Sequence, residues 1–486
     1  MVQTKSSHSS LVHLFFLLVL LMETSQSTFQ SRNNFPTSTS RPKLYLLSDL
    51  HLDPFYGTSS AYGPCTSPSS APRFSTQQCD TSYALLNSAL DDLFDQARED
   101  SDTILIIAGD FVRHGMSSFS EETALQVISN ISTYIAEAIA KRSSQLSLID
   151  EGLEHVDAGG KKGNFHVVPF PNLALSIGNE DNWKDYYFNS SNAGKHVALN
   201  LLVGAFSKVG LINAQDVAML SICGYNAQVI PNSNLVIVSL NTILYSPNHN
   251  PSPVDLADPC SQFAWLRSQL VQARGECRKL FIIGHIIPLS SKWAPSYLVT
   301  FQKMVLEFAD VIAAMWFGHT HFFEFFLESS DPASPLTVDV PAINSRDGNN
   351  PSYLRVSFAD QPSLNTSIAN STWTIQEIHM RSINISGDVA TWVNGPSLPS
   401  DFGDWIAPPL LSSNVYQFLT RLLSESTTSG SHWKLFEEMY SGGVVNNPLG
   451  EKDKTELLCH MISPTDAQYE TCKGANKKIN NNNNNG

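Results

Sequence analysis

Five short segments of this sequence concentrate side chains that bind divalent metals. They are Asp49-Leu50-His51, Gly109-Asp110 with Arg113-His114, Gly178-Asn179-Glu180-Asp181, Gly284-His285 and Gly318-His319-Thr320-His321. Their carboxylates, amide oxygen and imidazoles make a hard-to-borderline N/O ligand set. No cysteine belongs to it, which excludes a structural cage of thiolates. Asp49 and His51 are one residue apart, so an extended backbone turns both to the same side. The same holds for His319 and His321. Such a set can feed two metals, with Asp110 as a bridging carboxylate that holds them about 3.5–4 Å apart.

The elements that must position these groups are visible in the hydrophobic pattern. KLYLLSD (43–49), TILIIAGD (103–110), NLALSIGN (172–179), NLVIVSLN (234–241), KLFIIGH (279–285) and DVIAAMWFGH (310–319) read as buried strands. Segments 82–98, 121–142, 263–274 and 297–308 read as amphipathic helices between them. Strands alternating with helices define an α/β fold. Asp49, Asp110, Asn179, His285 and His319 each end one of these strands. Ligands of open α/β sheets collect at the carboxyl ends of strands. One polar strand end is ordinary turn chemistry. Five in order, two of them Gly-His and one Gly-Asp, are not. A glycine before the ligand is expected to let the backbone turn sharply under the site.

The ordered set DxH, GD, GN, GH, GHTH resembles the calcineurin-like metallophosphoesterases, and in detail their acid sphingomyelinase-like phosphodiesterase branch. His114 stands four residues after Asp110, as in that branch. GHTHFFEF (318–325) is similar to its GHTHxDEF, NPSYLRV (350–356) to its NPGYRVY, and LCHMISPTDAQYETC (458–472) to its C-terminal disulfide loop. The vacuolar endopolyphosphatases are a sister group, and RHG after GD resembles theirs. The resemblance covers residues 43–475. It implies a β-sandwich flanked by helices, four-layer α/β/β/α, over 43–360, with a small, mainly helical extension over 361–475. It also implies two divalent ions, zinc first, with manganese or iron as alternatives. Asp49, His51, Asp110 and His321 would hold one ion, and Asp110, Asn179, His285 and His319 the other. A bridging hydroxide would be the nucleophile and His114 the general acid for the leaving alkoxide.

The chain departs from that pattern in three places. The family's GNHE carries a histidine where this chain has Glu180; the endopolyphosphatases lack it too. A glutamate beside two cations is expected to be ionised, so Glu180 is expected to position groups while His114 alone donates the proton. GHIIPLS (284–290) lacks the family's Pro-Pro-Gly after the histidine, beside the substrate. With the expected cut after residue 27, about 15 residues would separate it from the first strand, so a saposin module like that of acid sphingomyelinase is not expected. The expected substrates are therefore soluble phosphodiesters or nucleotides, with polyphosphate and sphingomyelin as alternatives. A non-catalytic secreted binding protein is the contrasting class.

Residues 1–27 read as a secretory signal: Lys5, an apolar run over 11–22, then Ser25 and Ser27 before a cut. An uncleaved anchor is the alternative. Residues 28–42 read as a linker and 476–486 as an Asn-rich disordered tail. The expected location is the exterior or a lysosomal or vacuolar lumen. There Cys65–Cys79 and Cys459–Cys472 are the expected disulfides. With seven cysteines, Cys223, Cys260 and Cys277 hold at least one unpaired thiol among them, and a helix spacing Cys260 and Cys277 by about 25 Å keeps those two from bridging directly. Asn130, Asn189, Asn365, Asn370 and Asn384 are glycosylation sequons. The balance of 30 basic to 45 acidic residues argues against a protein that wraps nucleic acid. No apolar run reaches the roughly 20 residues of a membrane span, and a monomer is expected. Trp392, Trp405, Tyr416, Phe418 and Trp433 are expected to pack a core rather than form a substrate platform.

Overall fold

A computed structural model describes residues 42–58, 72–98, 100, 103–150, 172–231, 233–252, 256–327, 334–359, 373–386, 389–425, 428–445 and 447–483. The expected signal segment, Cys65, Asn365 and Asn370 lie outside them, as does the linker up to residue 41.

Twelve strands form two six-stranded sheets among the described residues. In the first, β1 (Lys43–Leu47), β2 (Thr103–Ile107) and β3 (Asn172–Leu175) run parallel. On the other side of β1 follow β10 (Ser352–Phe358), β11 (Ile375–Ser386) and β12 (Val389–Leu398), all antiparallel to their neighbours. In the second sheet, β5 (Leu235–Ser239), β6 (Lys279–Ile286), β7 (Ile312–Gly318) and β9 (Leu336–Asp339) run parallel. Antiparallel β4 (Asn226–Val229) and β8 (Glu324–Leu327) close its edges.

Period-2 alternation divides each strand between two cores. Leu44, Leu46, Ile104 and Ile106 share one apolar cluster with Ile237, Phe281, Ile283 and Trp316 of the second sheet. Their neighbours Tyr45, Leu47, Leu105 and Ile107 join the other cluster with α1 (Tyr83–Ala97) and α2 (Glu121–Asp150). Val238, Ile282 and Met315 lie in that cluster with α5 (Gln262–Gly275) and α6 (Pro295–Glu307). Between them in the chain come α3 (Val197–Lys208) and α4 (Ala214–Cys223). The result is the expected α/β/β/α layering. The six strands appear as continuous apolar runs because both of their faces are buried.

The region after residue 360 opens with β11 and β12, which extend the first sheet. Then follow α7 (Ser412–Ser424), α8 (Ser431–Tyr440), α9 (Glu451–Ile462) and α10 (Asp466–Asn483). α10 continues into the asparagine run, where the composition suggested disorder. Phe418 and Trp433 are fully buried in the inter-sheet cluster, whereas Tyr416 is exposed and departs from the expected core. Trp392 and Trp405 are half-buried against the two clusters.

Cys459–Cys472 staples α9 to α10. Cys79 is disulfide-bonded. Cys223 pairs with Cys260, which leaves exposed Cys277 free. Asn130 and Asn384 are exposed and Asn189 is half-buried. Among the described residues no helix is long and apolar enough to cross a membrane.

Glu324 and Asp339 face each other across β8 and β9. Burial pushes Glu324 up to about 8, and burial together with Glu324's charge raises Asp339 well above the carboxylate range. A raised folded-state value means that stability is full below the usual carboxylate pKa and is lost as pH rises toward 8. Glu324→Gln should therefore raise the thermal midpoint at pH 8 and change it little at pH 4. An equal shift at both pH values in thermal unfolding would refute this.

Candidate metal centre

All seven proposed ligands converge at the carboxyl ends of the strands. Asp49 and His51 follow β1, Asp110 follows β2, Asn179 follows β3, His285 lies in β6, and His319 and His321 follow β7. Beyond the strand ends the two neighbouring segments stay paired: the N–H groups of Asp49, His51 and Leu52 donate to the carbonyls of Gly109, Asp110 and Phe111. This brings the first two motifs side by side.

Asp110 sits at the middle. Its Oδ2 lies 3.1 Å from His285 Nε2 and 3.5 Å from His51 Nε2. Its Oδ1 accepts the backbone N–H of Glu180 at 2.9 Å. Asp49 Oδ1 lies 3.3 Å from His321 Nε2 and 3.6 Å from His51 Nε2. Asn179 Oδ1 lies 3.1 Å from His285 Nε2. Asp49, His51 and Asp110 thus bring ligand atoms within 4.8 Å of one another, and so do Asp110, His285 and His319. Asp110 belongs to both groups. Asp49 Oδ1 and His51 Nε2 are buried with no hydrogen-bond partner, a cost that a bound cation would offset. The donor set therefore fits two divalent ions.

The protonation balance points the same way. Burial lowers His285 and His321, yet the carboxylates of Asp110 and Asp49 override it and hold both at about 10. The buried carboxylates draw in positive charge, and a dication meets that demand better than a proton.

The backbone is strained where the ligands stand. Asp49, His51, Asp110, His319 and His321 have φ of 49°, 37°, 52°, 83° and 70°. Left-handed backbone costs a non-glycine residue on the order of 1–2 kcal/mol. Gly109, before Asp110, makes the left-handed turn expected of it at φ 89°, and the five ligands add sharp turns of their own. Gly178 and Gly318 are needed for space instead: a Cβ there would collide with the Asp110 carboxylate or with Ser48 Oγ and Asp49 Oδ2.

Several groups that hold the ligands were not singled out in the sequence. Asp181 is buried and accepts N–H bonds from Asp110, Phe111, Val112 and Gly178 at 2.7–3.2 Å. Burial and Asp110's charge still push it up to about 7. His51 Nδ1 faces the Val112 carbonyl and His285 Nδ1 the Ala108 carbonyl, at 3.0 and 2.8 Å. His321 Nδ1 lies 3.0 Å from Asp347 Oδ2. These contacts direct each Nε2 into the cluster. Tyr186 Oη approaches His319 Nε2 at 3.4 Å. Asp181 sits inside a recognised motif, but Asp347 and Tyr186 lie in loops without any strand-end signal.

His114 stacks on His51 with ring centroids 3.8 Å apart. Its Nδ1 lies 2.7 Å from Asp80 Oδ1, and its backbone N–H donates to Asp80 Oδ2 at 3.0 Å. Burial and the charge of His51 push His114 down to about 4, against the pull of Asp80. Glu180 is buried with Oε2 unpartnered. Burial, then the carboxylates of Asp185, Asp110 and Asp80, push it up to about 9. The expectation of an ionised Glu180 relied on two cations; among the protein's own groups the balance favours the neutral acid.

The sequence profile of the calcineurin-like phosphoesterases matches residues 42–323, more than half of the chain. The chain belongs to that family, a family of phosphoric ester hydrolases. Among curated proteins it is similar to sphingomyelinase phosphodiesterase D of Dictyostelium discoideum, 40% identical over 19% of this chain and 23% of that protein. It is 26% identical to human cyclic GMP-AMP phosphodiesterase SMPDL3A over 63% of this chain and 64% of that protein. Human acid sphingomyelinase-like phosphodiesterase 3b is 23% identical over 88% and 90%. The chain therefore spans about a quarter and somewhat under two thirds of the first two. A solved dimetal phosphatase from Danio rerio aligns over 73% of this chain and 99% of its own, at 10% identity and a TM-score of 0.38.

Replacing Gly318 by alanine should displace Asp49 and weaken metal binding at least tenfold. Calorimetric titration of the metal-free protein with zinc would measure this. Undiminished affinity would contradict the packing described for Gly318.

Proposed function

We propose that this protein is a two-metal hydrolase of phosphodiester or phosphoanhydride bonds in soluble substrates. One observation carries the proposal: two groups of ligand atoms share Asp110, and His114 stands beside them on an Asp80 tether. Asp49, His51, Asp110 and His321 would hold one ion, and Asp110, Asn179, His285 and His319 the other. Zinc suits this thiolate-free set of imidazole and carboxylate, with manganese or iron as alternatives. The ions, when bound, supply the Lewis acidity that activates water and takes up charge at phosphorus.

The chain's own residues do the rest. Asp80 holds His114 through Nδ1, so Nε2 is the atom that faces a departing oxygen. Because burial and His51 push the ring down to about 4, its minor protonated form is the donor, and turnover should fall as pH rises from 4.5. His114 is the more open of the two, with 22% of its side chain exposed against 5% for Asp80. Glu180 positions Asp110 through its backbone N–H. The names of the similar proteins, a cyclic GMP-AMP phosphodiesterase and acid sphingomyelinase-like phosphodiesterases, support a diester substrate. We also place the protein in the secretory route, outside the cell or in a lysosomal or vacuolar lumen. The disulfides and the exposed sequons at Asn130 and Asn384 support this.

The zinc-loaded protein should hydrolyse bis-p-nitrophenyl phosphate, ATP or long-chain polyphosphate between pH 4.5 and 7.5, and a chelator should abolish turnover. Absence of turnover with two metals bound would overturn the enzyme reading in favour of a binding protein. Chain shortening of polyphosphate alone would make it an endopolyphosphatase. His114→Ala should lower kcat by roughly a hundredfold or more, and Glu180→Gln by less. Full activity in His114→Ala would remove His114 from the acid role.

A further inference from the structure

The loop between β9 and β10 reaches back along the first strand. Ile343 and Asn344 donate their N–H groups to the carbonyls of Ser48 and Asp49. Three polar side chains from this loop meet the site. Asn344 Nδ2 donates to Asp80 Oδ1 at 2.9 Å, Asp347 engages His321, and Arg346 lies between them in the chain. Arg346 Nη1 is 3.7 Å from Asp80 Oδ1, too long for a hydrogen bond. That carboxylate is already engaged by His114 and Asn344. The other two acids whose electrostatics register its charge are Asp347, which is engaged with His321, and Glu180, which makes no ion pair with it among the described residues. Among the described residues no carboxylate lies closer to the guanidinium than Asp80, and 37% of the side chain is exposed. The half-exposed guanidinium, beside the Asp80 that holds His114, is a planar fork of donors that can take two oxygens of one phosphoryl group.

We propose that Arg346 is a substrate-binding residue whose guanidinium takes a second phosphoryl group next to the one held at the metal ligands. The site would then select phosphoanhydrides over diesters that carry a single charge. A diester with a cationic headgroup would meet like charge at the same place. This rests on the two-metal hydrolase reading above.

The test compares wild type, Arg346→Ala and Arg346→Lys, each zinc-loaded and with thermal unfolding checked, on ATP and on bis-p-nitrophenyl phosphate. The ratio of kcat/KM for ATP over the diester should fall about tenfold or more in Arg346→Ala, mainly through KM. Lysine keeps the charge without the fork and should restore part of it. A ratio within twofold of wild type overturns the proposal, including the case where both substrates suffer equally because Arg346 only holds Asp80. If the wild type turns over neither substrate, the hydrolase reading fails by itself. Calorimetry with pyrophosphate and orthophosphate then decides about Arg346. A wild-type preference for pyrophosphate that Arg346→Ala loses supports the proposal; the same preference in both, or none in wild type, overturns it.

Discussion

The structure depends on burying the carboxylates of Asp49 and Asp110 together at the ends of two adjacent parallel strands. β1 and β2 pair in register from Lys43↔Thr103 to Leu47↔Ile107, and the pairing carries on into the two acids that follow. Two buried anions side by side repel and are poorly solvated. Nothing in the apolar sandwich beneath compensates for them. The compensation comes from imidazoles delivered by the opposite sheet, His285 from β6 and His319 and His321 after β7, and from the cations that such a set fits. The requirement for two sheets is thus electrostatic as well as hydrophobic: neither carries the whole ligand set.

Holding ligands at such close quarters strains the chain, and other parts of the fold offset that strain. Asp181 ties four consecutive or adjacent N–H groups under Asp110. Each of these charge-assisted bonds contributes roughly 1.5–3 kcal/mol, enough to maintain the left-handed turn at Asp110. Asp49 is secured from the second sheet, since its Oδ2 accepts the N–H of His319 at 3.0 Å and the Ser48 hydroxyl at 2.5 Å. Unfavourable backbone at five ligand positions therefore reflects over-determination by these anchors.

Much of this was legible in the sequence because the signals coincide. Buried parallel strands give apolar runs, and their last residues must be the ligands, so strand ends and metal-binding residue types reinforce each other at Asp49, Asp110, Asn179, His285 and His319. What stayed hidden depends on loops. Asp80, Asp347 and Arg346 reach the site through chain reversals that no periodicity records. The role of the glycines was legible only in part, since Gly109 does turn the chain before Asp110. From sequence they suggest turning, while in three dimensions Gly178 and Gly318 yield room to a carboxylate and to the Ser48–Asp49 pair. That residues 375–386 belong to the first sheet follows from pairing with β10, a long-range fact.

The loop of residues 342–347 links the metal ligands to the proposed acid. Its backbone is hydrogen-bonded to Ser48 and Asp49, so it moves with the first ligand strand. Its side chains hold His321 through Asp347 and hold Asp80, and so His114, through Asn344. The segment that follows is pinned as β10 against β1, with Leu354 opposite Leu46. A candidate ligand and the proposed proton donor are therefore placed by one connection to the same strand. That is the arrangement in-line chemistry at phosphorus needs, because the entering and leaving sides of the phosphorus atom must keep a fixed separation. Arg346 belongs to the same connection, so a group that contacts it is placed against the same frame as the scissile bond.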